Sequence, residues 1–428
     1  MVKTRKEGLF YGWINAGLLF FIYMCGFGIV FYSYSVIFPY MIKSLQWPRG
    51  QASIARTIAV LAMGLLAPLT AFSIEKFGTK KTVLSGLTAM LVSFLLLGTI
   101  VTKFWMWNII YGIMVGFGLA LAGPLPIRTS VMNWFNIRRA TVMGIVMTGG
   151  AVGGFVAQPF ITWLMERSGS WRTGWLANGV IVLVALVLCL FTHNKPSEVG
   201  QYPDGLSPES TSTTAEGGLK TARTYRTPES WPLKEALKSP ILWLSVVIGI
   251  ASVQSLVLLT SHGVLHLTDL GYTRMQAAFF LSLLVLGSGI SRFPMGWLAD
   301  HIEPRWIMSF CMAIMLIAFV GIWKGSNSVI LVVSCIAYGT CFGATYVLTP
   351  TMRGNYFGVA TYPRLAGVIG PISLPFSALV PAGAGYIAER TGNYNIAFTI
   401  IAIVITIGAV SAFLLKPPRL KFKNASVD

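Results

Sequence analysis

The sequence predicts an all-α membrane protein with twelve transmembrane helices in two pseudo-symmetric bundles of six. Two observations predict it. Of 428 residues, 55% are hydrophobic and 11% are charged, with a mean hydropathy of +0.70, where a soluble protein carries roughly a quarter charged residues. The chain also repeats itself. LQWPRGQA (Leu45 to Ala52) matches LGYTRMQA (Leu270 to Ala277) 225 residues on, and ERSGSWR (Glu166 to Arg172) matches ERTGNYN (Glu389 to Asn395) 223 residues on. NWF (Asn133 to Phe135) pairs with NYF (Asn355 to Phe357), each followed by a basic residue and then by Gly144 or Gly367. Matches in one order at nearly one spacing describe two homologous halves.

The elements follow in order. A helix needs about 20 apolar residues to span a bilayer. Such runs lie near 11–41, 52–75, 81–102, 104–132, 139–166, 173–192, 239–267, 275–301, 305–323, 327–352, 364–389 and 394–416. The first follows a basic stretch, as a signal peptide would, but it is too long and lacks a small-residue cleavage site, so it is expected to remain. The fifth and eleventh carry Gly144, Gly149 and Gly153, and Gly367, Gly370, Pro371 and Pro375. These residues suit close packing and bending. Cys25, Cys189, Cys311, Cys335 and Cys341 all fall in apolar spans without metal or redox spacing, so they read as packing residues.

A net charge of +18 could suggest nucleic acid, but its distribution excludes that reading. With the N-terminus inside, 21 of the 32 Lys and Arg fall in cytoplasmic segments, 8 in external loops and 3 (Arg56, Arg128, Arg292) in spans. The cytoplasmic clusters are Lys3, Arg5 and Lys6; Lys76, Lys80 and Lys81; Arg138 and Arg139; Lys220, Arg223, Arg226, Lys234 and Lys238; and Lys416, Arg419, Lys421 and Lys423. This positive-inside bias places both termini in the cytoplasm. Residues 1–192 form the first bundle, 193–238 a cytoplasmic linker and 239–428 the second bundle. The linker is rich in Ser, Thr, Pro, Glu and Lys and cannot bury enough apolar surface to fold alone. Its end, PESWPLKEALKSP, reads as a short amphipathic helix on the membrane surface.

Arg292 stands out. It interrupts the apolar run LSLLVLGSGISRFPMGWLAD, and a charge there costs at least ~2.5–3.5 kcal/mol. It lies eight residues before Asp300, about 12 Å deeper along a helix. Arg128 is about two turns from the cytoplasmic end of the fourth span. It is read as snorkelling or pairing near that face, the alternative being a second substrate contact. Arg56, near the external end of the second span, is read in the same way. None of the 14 acids lies mid-span, so no buried carboxylate serves as a dedicated proton carrier. His262 and His266 lie one turn apart on the outer half of the seventh span, and His262 is the deeper. Each is either a packing histidine or a proton relay.

Two six-span halves joined by a cytoplasmic loop resemble the major facilitator superfamily. The loop after the second span reads Ala71, Glu75, Lys76, Phe77, Gly78, Thr79, Lys80, Lys81, similar to that family's G-x-x-x-D-R-x-G-R-R signature. Its second-half counterpart reads Gly296, Asp300, His301, Glu303, Pro304, Arg305. The motif implies charge pairing at helix ends that latches neighbouring cytoplasmic helix ends, with Arg138 and Arg139 among the gating residues. WFNIRRATVMGIVMTGGAVGG (Trp134 to Gly154) is similar to the monocarboxylate porter signature, and EGLFYGW (Glu7 to Trp13) echoes that family's opening. Arg292 with Pro294, Gly296 and Asp300 resembles the eighth span of monocarboxylate porters and oxalate/formate antiporters, where an Arg contacts the substrate carboxylate.

The resemblance implies a secondary transporter of small monocarboxylates such as lactate or pyruvate, symported with a proton by rocker-switch alternating access about a site between the halves. Arg292 would bind the carboxylate, and His262 is the second candidate. Tyr32, Tyr34, Tyr338 and Tyr346 lie in spans that line the cavity of that fold. Each offers a hydroxyl donor and an apolar ring, or packs. Many animal porters carry an acid one turn before the Arg, where Ser288 stands here, and a Lys in the first span, where Tyr32 stands. In oxalate antiporters a Lys occupies the place of Leu374. One buried cation favours a substrate with a single carboxylate. An oxalate/formate-type anion exchanger and a non-transporting membrane sensor of carboxylates are the alternatives. With no H-E-x-x-H, no Ser with His and Asp at membrane depth and no paired buried carboxylates, an enzyme is not indicated. The chain is expected in the cell (inner) membrane as a monomer, without cofactor, metal or nucleic acid.

Overall fold

The structure, a computed structural model, describes residues 10–206, 224–325 and 327–418. Lys3, Arg5 and Lys6, Lys220 and Arg223, and Arg419, Lys421 and Lys423 lie outside the described residues, as does the start of EGLFYGW. The regular elements among the described residues are helices, since in hydrocarbon a helix satisfies its backbone N–H and C=O groups internally. Eleven of them are long and apolar enough to cross a membrane, with Ile54–Leu65 a shorter apolar one. Large apolar side chains such as Phe155, Ile317 and Leu379 are 80%, 72% and 68% exposed, as lipid-facing walls require. The chain divides into two compact units, Met1–Thr221 and Ala222–Asp428.

In the first unit α1 runs Tyr11–Leu45 and widens to π-helical turns over Met24–Ile29. The expected single run at 52–75 is bent. Ile54–Leu65 ends at Leu66, because Pro68 has no N–H to give the Gly64 carbonyl. The helix resumes over 67–77, completing α2. It turns directly into α3, 79–99, at Gly78 (φ 82, ψ 168), a conformation that favours glycine. α4 (Phe104–Trp134) breaks at Gly123 before Pro124. α5 covers Arg139–Ser168 and α6 Trp171–Leu190.

The second unit comprises α7 (Pro240–Asp269), α8 (Arg274–His301), α9 (Pro304–Lys324), α10 (Ser328–Phe357), α11 (Tyr362–Thr391) and α12 (Asn395–Leu414). A capping box opens α8: the Thr273 hydroxyl accepts from the Gln276 N–H and the Gln276 side chain accepts from the Thr273 N–H, two orphan donors satisfied at once. Neighbour relations repeat between the units. α2 packs on α4, α3 on α6 and α1 on α5, as α8 packs on α10, α9 on α12 and α7 on α11. α5 and α11 both end on a left-handed glycine, Gly169 (φ 66) and Gly392 (φ 74).

Lipid is as apolar as leucine, so small residues and polar contacts hold the helices together. A Cβ on Gly28 of α1 would stand 2.7 Å from the Gly150 carbonyl oxygen of α5. Asn178 Nδ2 donates to Ser33 Oγ at 2.7 Å. Arg353, one residue past the expected end of the run at 327–352, is inside α10, whose helix continues to Phe357. It donates to Ser245 Oγ (3.1 Å) and to the Ser245 carbonyl (2.9 Å) of α7.

The described ends of the linker are bound to their own units. Asp204 Oδ2 accepts from the Asn136 and Ile137 N–H groups at 2.8 Å each. Asn194 Oδ1 accepts from the Lys80 N–H at 2.8 Å, and Lys80 Nζ donates to the Leu190 carbonyl at 2.6 Å. On the other side Tyr225 N–H donates to Glu303 (2.9 Å), Thr227 N–H to the Asn355 carbonyl (2.8 Å) and Trp231 N–H to the Phe357 carbonyl (2.9 Å). The two ends thus fasten next to the repeated NWF and NYF sequences. Of the expected amphipathic helix, Leu233–Lys238 is helical, and Trp231 before it is buried against Phe357. Polar composition did not betray these contacts because most of them use backbone groups.

Candidate substrate site around Arg292

Arg292 lies on α8 two residues before Pro294, within a helix that packs tightly on α10. Gly287, Gly339 and Gly343 make this approach possible. A Cβ on Gly287 would stand 3.0 Å from the Ile336 carbonyl oxygen, and one on Gly343 would collide with the Ser288 carbonyl and the Ser291 hydroxyl. The seam brings Arg292 over Tyr346, with the guanidinium carbon 4.6 Å from the ring centroid. Both residues are half-buried. Stacking engages the face of the guanidinium plane, while carboxylates are recognised by the fork at its edge. An arginine remains charged at such a site, which makes this position suited to a small anion.

Of the other candidates, Ser288 is buried one turn from Arg292 at the Gly343 seam. Tyr338 lies two turns along α10 from Tyr346 and is 0% exposed, its hydroxyl 2.6 Å from Ser255 Oγ of α7. Its hydroxyl therefore ties α10 to α7. His262 of α7 has Nε2 2.9 Å from the Pro381 carbonyl of α11 and Nδ1 3.3 Å from the Tyr394 hydroxyl. His266 is buried, with Nε2 2.8 Å from the Trp323 carbonyl. Tyr394, outside the helices, has its hydroxyl pKa raised by burial and then by Asp269 and Glu389. In the first unit Tyr32 sits against Gly154, and Tyr34 belongs to an aromatic cluster with Phe38, Trp107 and Tyr111. Arg128 is half-buried in the helix that follows Gly123.

The motif residues cluster with the linker. Asp300 is buried and forms a 3.7 Å ion pair with Arg226 of the linker end. Glu303 Oε1 accepts from the Tyr356 hydroxyl at 3.0 Å while Oε2 accepts from the Tyr225 N–H. Arg305 lies over Trp306 at 4.6 Å. In the first half Glu75, Lys76 and Lys81 are exposed, and Lys76 lies over the Phe72 and Phe77 rings. Gly78 packs against Asn194. Arg138 is over Trp13 at 5.9 Å, and buried Arg139 donates to the Phe135 carbonyl at 3.1 Å and to Asn136 Oδ1 at 3.2 Å. The sequence held no sign of the Arg226 partnership. For Arg353, the helical continuation through NYF was the available signal.

A family model described as Major Facilitator Superfamily matches residues 17–285 and 263–428. A Rattus norvegicus protein named monocarboxylate transporter 13 is 24% identical over 420 residues, covering 95% of this chain and 89% of the relative. Monocarboxylate transporter 12 of the same organism is 23% identical over 336 residues, covering 74% and 67%. Among solved structures, a single-residue variant of the E. coli fucose:proton symporter FucP superposes with a TM-score of 0.71 at 13% identity, over 95% of this chain and 100% of that one. FucP in the outward conformation gives 0.72 with the same coverage and identity. This structural likeness concerns the fold alone.

Proposed function

The chain belongs to the Major Facilitator Superfamily, and on that premise we propose that this transporter carries small monocarboxylates of the lactate and pyruvate type, symported with a proton by rocker-switch alternating access. One observation carries the reading: Arg292, a permanent cation in the membrane-embedded part of α8, stacked on Tyr346. Such a charge on a span marks a substrate path, and its preferred partner is a carboxylate. The likeness to relatives named monocarboxylate transporters supports the substrate class. Leu374 in α11 supports a single carboxylate, because a second negative charge would need its own partner. His262, held by Pro381 and Tyr394, is the proposed proton-linked group, since histidine changes charge near physiological pH. Tyr346 would cover the alkyl part of the substrate. The basic loops support a cytoplasmic position for both termini.

The experiment is uptake into proteoliposomes of lactate, pyruvate, formate and oxalate, each with and without an imposed proton gradient. Saturable lactate or pyruvate uptake driven by an inward proton gradient is expected. Uptake of oxalate or formate by exchange, indifferent to that gradient, would replace symport with anion exchange. Binding without flux would make the chain a sensor.

A further inference from the structure

Arg56 carries a charge that the proposed mechanism does not use. A side chain near the end of a span is expected to reach outward to water, but this one turns into the helix bundle. Its guanidinium carbon is 4.0 Å from the Phe31 ring centroid and 4.9 Å from that of Tyr34, and Nη1 donates to the Tyr111 hydroxyl at 2.9 Å. The rings are themselves fixed. Tyr111 is 1% exposed and stacks on Trp107 at 4.6 Å, and the Trp107 indole donates to the Ala52 carbonyl at 2.8 Å. Tyr111 is seven residues into α4, so the charge sits about 10 Å inside the end of the bundle.

Among the described residues nothing acidic balances it. The ion pairs of Glu198, Asp300 and Glu235 lie with other partners, and the bonds of Arg56 go to Tyr111 and the aromatic rings. Aromatic faces attract a cation without neutralising it. They also cover the guanidinium faces, so recognition falls to the edge, where five N–H donors lie and the Tyr111 hydroxyl takes one. Arg56 is half-buried, hence reachable. Along α1 the rings continue as a ladder, Phe31 on Phe27 at 5.4 Å and Phe27 on Tyr23 at 5.1 Å, an apolar wall beside a cationic head.

We infer that Arg56, with Tyr111 and the faces of Phe31 and Tyr34, is a second anion-binding position, in the first half of the chain, that takes the carboxylate of the transported acid on the face opposite the basic loops. The inference rests on the proposed function. Its test is lactate transport in proteoliposomes measured separately from each side, for wild type, R56Q, R56K and R292Q. One lost charge-assisted bond corresponds to about a tenfold rise in KM. R56Q should show that rise in KM from the α1–α2 loop side with KM from the other side unchanged, while kcat from that other side falls so that kcat/KM drops equally in both directions, as detailed balance requires. R56K, which keeps the charge in its cage but not the fork, should rise about threefold on that side. An equal rise in KM from both sides, or an unchanged KM in whichever of the two variants is recovered folded, overturns the inference while R292Q remains inactive. If R292Q is also active, the proposed function fails first.

Discussion

The α8–α10 seam makes a strong prediction about how packing sets the position of Arg292. Consider Gly343→Ala. The added Cβ would sit 3.0 Å from the Ser288 carbonyl carbon and closer still to the Ser288 oxygen and the Ser291 hydroxyl. The Ser291 side chain can rotate away, but the Ser288 carbonyl belongs to the helix backbone and cannot, so α8 must move. Inserting one carbon into a closed seam costs about 1–3 kcal/mol. Ser288 is one turn from Arg292, so the same shift slides the guanidinium off Tyr346. If about 1 kcal/mol of that strain reaches the substrate contact, KM for lactate rises about fivefold. Gly383→Ala on α11 is the control. Nothing lies within 4 Å of its missing Cβ, and alanine is favoured over glycine in a helix by about 1 kcal/mol. Thermal unfolding in detergent and lactate KM are measured for both. G343A should lose several degrees and G383A should not. A G343A protein as stable as G383A, with wild-type KM, would refute the reasoning.

Two further outcomes follow from named contacts. The Arg226–Asp300 pair has side chains 10% and 6% exposed, so D300N removes one charge of a buried pair and should cost about 3–5 kcal/mol. A double-mutant cycle with R226Q should show positive coupling and faster proteolysis of the linker, and additive effects would sink that account. Y338F removes the 2.6 Å bond to Ser255 and should lower stability by about 1 kcal/mol. Because Tyr338 is wholly buried, lactate KM should stay at the wild-type value, and a KM change without a stability change would return Tyr338 to the substrate path.

Much of this architecture was readable before any coordinates, and the reasons are physical. Bilayer thickness fixes span length, so apolar runs locate helices. Paired sequences such as ERSG and ERTG expose the internal repeat, and in the structure both end on glycines of the same hand. Arg292 was legible because a charge stands out against a run of Leu, Val and Gly. What escaped detection depends on relations between helices. Nothing in ARTIA foretells that Arg56 turns toward Phe31 and Tyr111, since that requires the register of three helices. The linker looked structureless because polar composition hides bonds made by the backbone, as in Asp204 on the Asn136 and Ile137 N–H groups. The bend at Leu66 escaped because Pro68 lies inside one continuous apolar run, and the direct turn at Gly78 replaces the expected loop because one residue with positive φ reverses the chain there.

The most direct measurement is lactate and pyruvate uptake by R292Q in proteoliposomes, beside its unfolding temperature and elution profile. Glutamine keeps a polar side chain, two bonds shorter, but removes the charge and the fork. The account predicts that saturable uptake of both acids disappears while unfolding and elution stay close to wild type. Saturable uptake of every monocarboxylate surviving in a folded R292Q protein would contradict it.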